Sequence, residues 1–352
     1  MAEAPETPGP EGLTWSSDEQ PGLSRRRCGR GFCYRDSQGR LIRDKGVLHR
    51  IRALAIPPAW EEVWICACSS GHLQATGRDT RGRKQYSYHP QWTAEAARVK
   101  FARMSAFALR LPRLHQRVEK ALALRGPHKD RVLATVVRLL EITQIRIGNA
   151  AYARQNRTFG LTTLRKRHLE VDGSTLAFHF RGKSGKEHRV KINDPRLARV
   201  LRGLEGLPGQ HLFKYRNAEG QLCDVTSDDV NAFIRQAMGE DYSAKDFRTW
   251  AATVSAARAF CEMTSPSSQA EARRNVSACM KTISGLLGNT PAVCRASYIH
   301  PAVIDLYQAG TIAGRLPDPK ALSFGAKLAK LLHAIPAPPV TPQTSPVTKL
   351  AS

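Results

Sequence analysis

The spacing of apolar residues changes character once along this chain, near residue 92. Between about 30 and 92 the run Val63-Trp64-Ile65-Cys66-Ala67-Cys68 favours strand, and Gly71, Gly77 and Gly82 punctuate the residues after it. This pattern predicts a small strand-containing module. From about 93 onward helical periods take over. Leu133, Val136, Val137 and Leu140 fall on one helix face, with Asp130 placed to cap its start.

One β interruption falls inside the helical part. Leu169 and Val171, then Asp172-Gly173, then Leu176, Phe178 and Phe180 alternate on either side of a turn dipeptide, which predicts a hairpin. A third strand, His188 to Ile192, comes after the tight loop Gly182-Lys183-Ser184-Gly185, so Lys183 is expected at a hairpin tip. Residues 1–25 are rich in Pro, Glu, Gly and Ser, and 335–352 carry Pro336, Pro338, Pro339, Pro342 and Pro346; both read as disordered tails. The expected architecture is therefore α+β. It comprises a strand-containing domain over 26–105 and a larger, mainly helical domain over 106–325 that carries an inserted three-stranded sheet.

Charge narrows the class of partner. The 352 residues hold 54 Lys+Arg against 30 Asp+Glu, a formal balance of +24. Glu3, Glu6, Glu11, Asp18 and Glu19 are the only charges among the first twenty residues, which leaves +29 on the remainder. A field of that size draws polyanions and speeds encounter with them. Cys28, Cys33, Cys66, Cys68, Cys223, Cys261, Cys279 and Cys294 include no C-x-x-C pair, and no histidines cluster at zinc-like spacing. We therefore expect a reduced, cytoplasmic protein without a structural metal. No run of about eighteen apolar residues occurs, so no membrane span is expected.

The candidate chemistry centres on Tyr298, in the stretch Leu287-Gly288-Asn289-Thr290-Pro291 to Ser297-Tyr298, with a polar side chain, Asn289, nine residues upstream. A phenol can attack a phosphodiester, and the phosphotyrosyl bond it forms can be reversed at similar energy. Such a transfer needs cations on the non-bridging oxygens and an acid for the departing 5′ oxygen, tasks that suit arginine and lysine. Arg146 in Ile145-Arg146-Ile147-Gly148-Asn149, Lys183, and Arg248 in Lys245-Asp246-Phe247-Arg248 supply candidates from three segments. Gly182-Lys183-Ser184 also imitates the end of a nucleotide-binding P-loop. Ala177 occupies the place of the first glycine there and strand rather than helix comes next, which excludes that reading.

Taken in order, Arg146, the hairpin Lys183, Lys-Asp-Phe-Arg and Leu-Gly-Asn-Thr-Pro ahead of Tyr298 resemble the type IB DNA topoisomerases of the compact poxviral and bacterial kind. The resemblance runs from about Cys33 to about residue 310. It implies that Tyr298 becomes linked to a DNA 3′ phosphate, that Arg146 and Arg248 clamp the non-bridging oxygens, and that Lys183 protonates the 5′ oxygen. Asn289 stands where the family usually has a histidine. An amide can donate one hydrogen bond to the phosphate but supplies no charge. The resemblance further implies strand cleavage, rotation and resealing without ATP, metal or other cofactor. It implies a monomer that clamps duplex DNA and associates with the nucleoid.

The segment Gly77 to Tyr88 resembles the family's DNA-contacting segment. Arg83 and Lys84 suit phosphates, Gln85 a base edge, and Tyr86 and Tyr88 complete the pattern. Asn149 and Tyr152 match positions that reach the major groove in relatives. A tyrosine recombinase uses the same chemistry, but it usually carries His-x-x-Arg where this chain has Lys245 three residues before Arg248, and its front domain is helical. A non-catalytic DNA-binding relative is the other alternative, against which stands the presence of all four core residues.

Overall fold

The computed structural model describes residues 12–239, 242–335 and 349–350. These fall into two compact units, one up to Phe101 together with Lys349–Leu350, the other from Ala102 to residue 335. The architecture is α+β, as the periodicity predicts.

The first unit holds β1 (Leu23–Cys28), β2 (Gly31–Arg35), α1 (Lys45–Ala53), β3 (Glu61–Ile65), β4 (Leu73–Arg78) and β5 (Lys84–Tyr88). The strands form one antiparallel sheet in the order β5-β4-β3-β1-β2, and Lys349–Leu350 pairs with the outer edge of β5. Ile51 of α1 packs with Trp60, Val63, Ile65 and Ala75 to make the core on one sheet face.

The expected tail over 1–25 is corrected by this sheet. Residues 1–11 lie outside the described residues, but from residue 12 the chain is built into the fold. Trp15 stacks on His72 with ring centroids 3.9 Å apart, and buried Ser16 exchanges hydrogen bonds with the backbone of Leu73. The indole of Trp64 donates to the carbonyl of Gln20 at 2.9 Å. Composition could not reveal this because the segment is held by polar groups of the sheet and two rings, not by a periodic apolar face. Of the other expected tail, residues 336–348 and 351–352 lie outside the described residues.

The second unit begins within α2 (Pro90–Leu122) and continues through α3 (Lys129–Thr143), α4 (Ala150–Asn156), β6 (Leu169–Asp172), β7 (Thr175–Arg181), β8 (Glu187–Asn193) and α5 (Pro195–Glu205). A short hairpin of β9 (Lys214–Arg216) and β10 (Leu222–Asp224) leads into α6 (Ser227–Met238) and α7 (Ala244–Glu262). The chain finishes with α8 (Gln269–Leu287), α9 (Pro291–Ser297), α10 (Pro301–Gln308), α11 (Ile312–Arg315) and α12 (Phe324–Ala334). Two expectations shift by a residue or two. The α3 cap is His128, whose Nδ1 accepts from the Asp130 amide, while Asp130 lies in the first turn, where its charge suits the helix dipole. Asp172 pairs with Thr175, so the hairpin loop is Gly173-Ser174.

Two apolar cores meet along α7. Phe247 belongs to the first, with Val132, Val136, Leu140 and Phe107; Ala252, Ala256 and Phe260 belong to the second, with Val276, Ile283 and Ile299. Trp250 packs against both. Arg248 therefore sits on a helix anchored from two sides.

Candidate active site

Arg146 lies just beyond the end of α3. Gln144 turns the chain through a left-handed conformation at φ 58°, and the next segment is pinned by Leu161 and Thr162, whose amides donate to the carbonyls of Arg146 and Ile147 at 2.9 and 2.7 Å. This backbone is fixed by hydrogen bonds while the half-buried guanidinium projects from it.

Arg248 is placed by a capping box. Ser243 precedes α7 and its amide donates to Asp246 at 2.8 Å; Phe247 then turns into the core and Arg248 emerges on the adjoining face. Its side chain is only 5% exposed, and its fork donates to two backbone carbonyls, of Gln144 and, at 2.6 Å, of Leu287. The arginine thereby ties the start of the Arg146 segment to the end of α8. Burial, and then the neighbouring Arg146 cation, pull its pKa below the usual arginine range.

Gly288 ends α8 in a left-handed conformation at φ 64°, a geometry open to glycine without strain, and the Asn289 amide donates back to Ser284 at 2.9 Å. Thr290 caps α9 and Pro291 fills its first position. Asn289 is thus held between two helix ends. Its Oδ1 accepts from Arg146 Nη2 at 2.8 Å, while its Nδ2 is buried with no partner. Arg248 Nε is buried and unpartnered as well. These are two orphaned donors in one small site, and an incoming anion would satisfy both.

Tyr298 comes directly after the last turn of α9, its amide donating to Cys294 at 3.0 Å. Arg146 and Arg248 both face its side chain, and the Arg248 guanidinium lies 5.9 Å from the ring centroid. Thr253, fully buried on α7, donates to the Tyr298 carbonyl at 3.2 Å and accepts from the His300 amide at 3.1 Å. No local pattern points to Thr253, whose role depends on a contact 45 residues away.

Lys183 stands exposed on the turn between β7 and β8, as the alternation predicts. The strand pattern predicts His188 only as the first residue of the third strand. It pairs with Phe180 across the sheet, on the face that Ile192 and Val190 turn toward the core. Burial, then Arg146, Arg248 and Lys186, hold its imidazole below the ordinary histidine pKa and so in the neutral form. The signal available in the sequence is its register: it occupies a position where the strand pattern calls for an apolar side chain.

The other expected contacts are spread more widely. Asn149 is exposed, and its Oδ1 accepts from the Ala151 amide at the start of α4; the side chain of Tyr152 lies outside the described residues. In the first unit, Arg83 pairs with Asp79 at 2.6 Å, Lys84 with Asp18 at 2.6 Å, and the rings of Tyr86 and Tyr88 stack 6.1 Å apart. Gln85 is more enclosed than its neighbours. It is 2% exposed and its amide nitrogen donates to Asp79 at 3.1 Å, which braces the β4–β5 turn, while its Oε1 is buried without a partner.

Comparison with known proteins places the chain in a family. Residues 89–313 match the family described as eukaryotic DNA topoisomerase I, catalytic core, and residues 31–79 match bacterial DNA topoisomerase IB, N-terminal domain. The chain is 30% identical over 268 residues to DNA topoisomerase 1B of Acanthamoeba polyphaga mimivirus, covering 74% of this chain and 80% of that protein. DNA topoisomerase 1B of Vaccinia virus (strain Western Reserve) is 23% identical over 255 residues, 70% and 76% of the two chains. DNA topoisomerase 1 of Rabbit fibroma virus (strain Kasza) is 25% identical over 244 residues, 67% and 73%. Among the described residues no helix is long and apolar enough to cross a membrane.

Proposed function

This chain belongs to the type IB DNA topoisomerases, and on that premise we propose that it relaxes supercoiled duplex DNA through a covalent bond between Tyr298 and a 3′ phosphate. The Tyr298 oxygen attacks the phosphorus and loses its proton to solvent. The bond from phosphorus to the 5′ oxygen breaks, and that oxygen takes a proton from Lys183. The free 5′ end rotates about the intact strand, then attacks the phosphotyrosyl bond and restores the phosphodiester.

The observation that carries this reading is the convergence of Arg146 and Arg248 on the Tyr298 side chain, beside the orphaned Asn289 Nδ2 and Arg248 Nε. A phosphate entering there meets two cations and an amide donor aimed at the oxygens on which charge accumulates. Because the tyrosyl bond conserves the phosphodiester energy, the cycle needs neither ATP nor a metal. Arg83, Lys84, Tyr86 and Tyr88 extend the contact to duplex flanking the cleaved bond, with Asn149 and Tyr152 in the major groove. We assign 26–105 to gripping DNA and 106–325 to catalysis, in a monomer acting in the nucleoid.

Affinity for duplex should fall steeply with salt, since phosphate neutralisation dominates binding. The test is incubation with positively and with negatively supercoiled plasmid of arbitrary sequence, in EDTA and without nucleotide. Relaxation of both is expected. A requirement for nucleotide, metal or a pair of specific sites would overturn the proposal.

A further inference from the structure

We propose that His188 is a positioning residue for Lys183, a wedge that sets the lysine turn at a fixed place against the Gly288-Asn289 loop. This role rests on the reading that Lys183 protonates the leaving oxygen.

The imidazole is packed on two sides and faces a third. It stacks on Phe180 with ring centroids 5.1 Å apart and 7° between planes. A β-carbon placed on Gly182 would lie 2.5 Å from Cδ2 and 2.6 Å from Nε2, so the ring rests directly on the glycine that precedes Lys183. A β-carbon placed on Gly288 would lie 3.7 Å from Cε1, so the same ring stands about one methyl group away from the residue before Asn289. One side chain therefore packs on the residue before the lysine and stands beside the residue before the phosphate-facing amide.

The turn's own hydrogen bonds do not perform this task. The Gly182 amide donates to Lys186 and the Gly185 amide to Gly182, at 2.8 and 3.0 Å. They set the shape of the turn but not its distance from the loop after α8. The site also constrains what the wedge can be. The charged groups facing the ring are Arg146, Arg248, Lys186 and Glu187, and an uncharged flat ring fills the space without repelling the two guanidinium groups that receive the phosphate. A proton donor on a flexible side chain loses rate steeply when its base shifts, and a displacement of about 1 Å can cost on the order of 100-fold.

The experiment is single-turnover cleavage of a duplex carrying the site that the wild-type chain prefers, made with an ordinary 5′ oxygen and with a 5′ sulfur in its place. Sulfur leaves without an acid, so it reports whether a defect runs through Lys183. His188→Ala should slow cleavage of the oxygen substrate by roughly 10- to 100-fold and leave the sulfur substrate near the wild-type rate, and combining it with Lys183→Ala should add little to Lys183→Ala alone. His188→Phe keeps the stack and the wedge and should restore most of the rate. Gly182→Ala, whose methyl group would displace the ring, should reproduce the leaving-group-dependent loss without touching the histidine. Equal losses on both substrates, a wild-type rate in His188→Ala, or His188→Phe as slow as His188→Ala would overturn the inference alone. No cleavage by the wild-type chain, or no sulfur rescue of Lys183→Ala, would overturn the reading beneath it as well.

Discussion

Asn289 Oδ1 accepts from Arg146 Nη2 at 2.8 Å while its Nδ2 stays buried without a partner. The amide is therefore oriented by the arginine, with its donor end left for an oxygen that arrives with substrate. Asn289→Ala should lose roughly 100-fold in single-turnover cleavage, the cost of removing one transition-state donor. Asn289→Asp keeps the acceptor toward Arg146 but replaces the donor with a charged oxygen, and should cleave more slowly still. Asn289→His should cleave close to the wild-type rate or faster. A complete block in Asn289→His would show that the amide does something an imidazole donor cannot.

Arg248 uses its planar fork on two carbonyls from different segments. Lysine has one ammonium and cannot span both in that geometry. Arg248→Lys should therefore lower the melting temperature and reduce cleavage by roughly 100-fold or more, measured by thermal unfolding and single-turnover assay. Unchanged stability would mean that the carbonyl contacts do not hold the Arg146 and Leu287 segments together.

Thr253 links the helix that carries Arg248 to the backbone of Tyr298. Thr253→Val retains shape and loses both hydrogen bonds, at a cost of about 1 kcal/mol in stability. The rate of covalent adduct formation should fall more than that destabilisation alone would suggest, because the Tyr298 carbonyl is released. Thr253→Ser should be close to wild type. Equal rates for the Val and Ser variants would remove the proposed link.

Burial holds the pKa of His300 down to about 4, against an ordinary 6.5, and its Nδ1 accepts from the Ala302 amide. The unfolded chain binds this proton more readily than the folded one. The stability that the neutral ring supports is present above about pH 6.5 and is lost as pH falls toward 4. The loss is on the order of 3 kcal/mol at most. Melting temperature against pH should show this decline, and His300→Gln should flatten it. An unchanged slope in the variant would assign the acid sensitivity elsewhere, with His168, also held down to about 4 by burial and then by Arg167 and Arg165, as the first candidate.

The order of chemical segments is legible in the sequence because each is marked locally. Alternation around Asp172-Gly173 announces the hairpin that presents Lys183, and the Leu-Gly-Asn-Thr-Pro run ahead of Tyr298 carries part of the family resemblance. The illegible part rests on contacts between distant segments. The carbonyls that hold Arg248 carry no side-chain signature, and Thr253 reads as an ordinary helical residue. Gln85 resembles a base reader by its basic and aromatic neighbours, and nothing in that pattern announces that its amide nitrogen donates to Asp79, six residues earlier. The amino-terminal segment reads as disordered by composition, yet Trp15, Ser16 and Asp18 find partners on β4 and β5 and the turn before them that no local pattern announces.

The most direct measurement is to denature the wild-type chain and Tyr298→Phe in the act of relaxing end-labelled plasmid, and to map the protein-linked DNA end. Wild type should be trapped through Tyr298 on a 3′ phosphate, with a free 5′ hydroxyl opposite. Tyr298→Phe should bind duplex as tightly, form no adduct and relax nothing. Relaxation by a clean preparation of Tyr298→Phe, or an adduct on a 5′ phosphate, would contradict the proposed role of Tyr298.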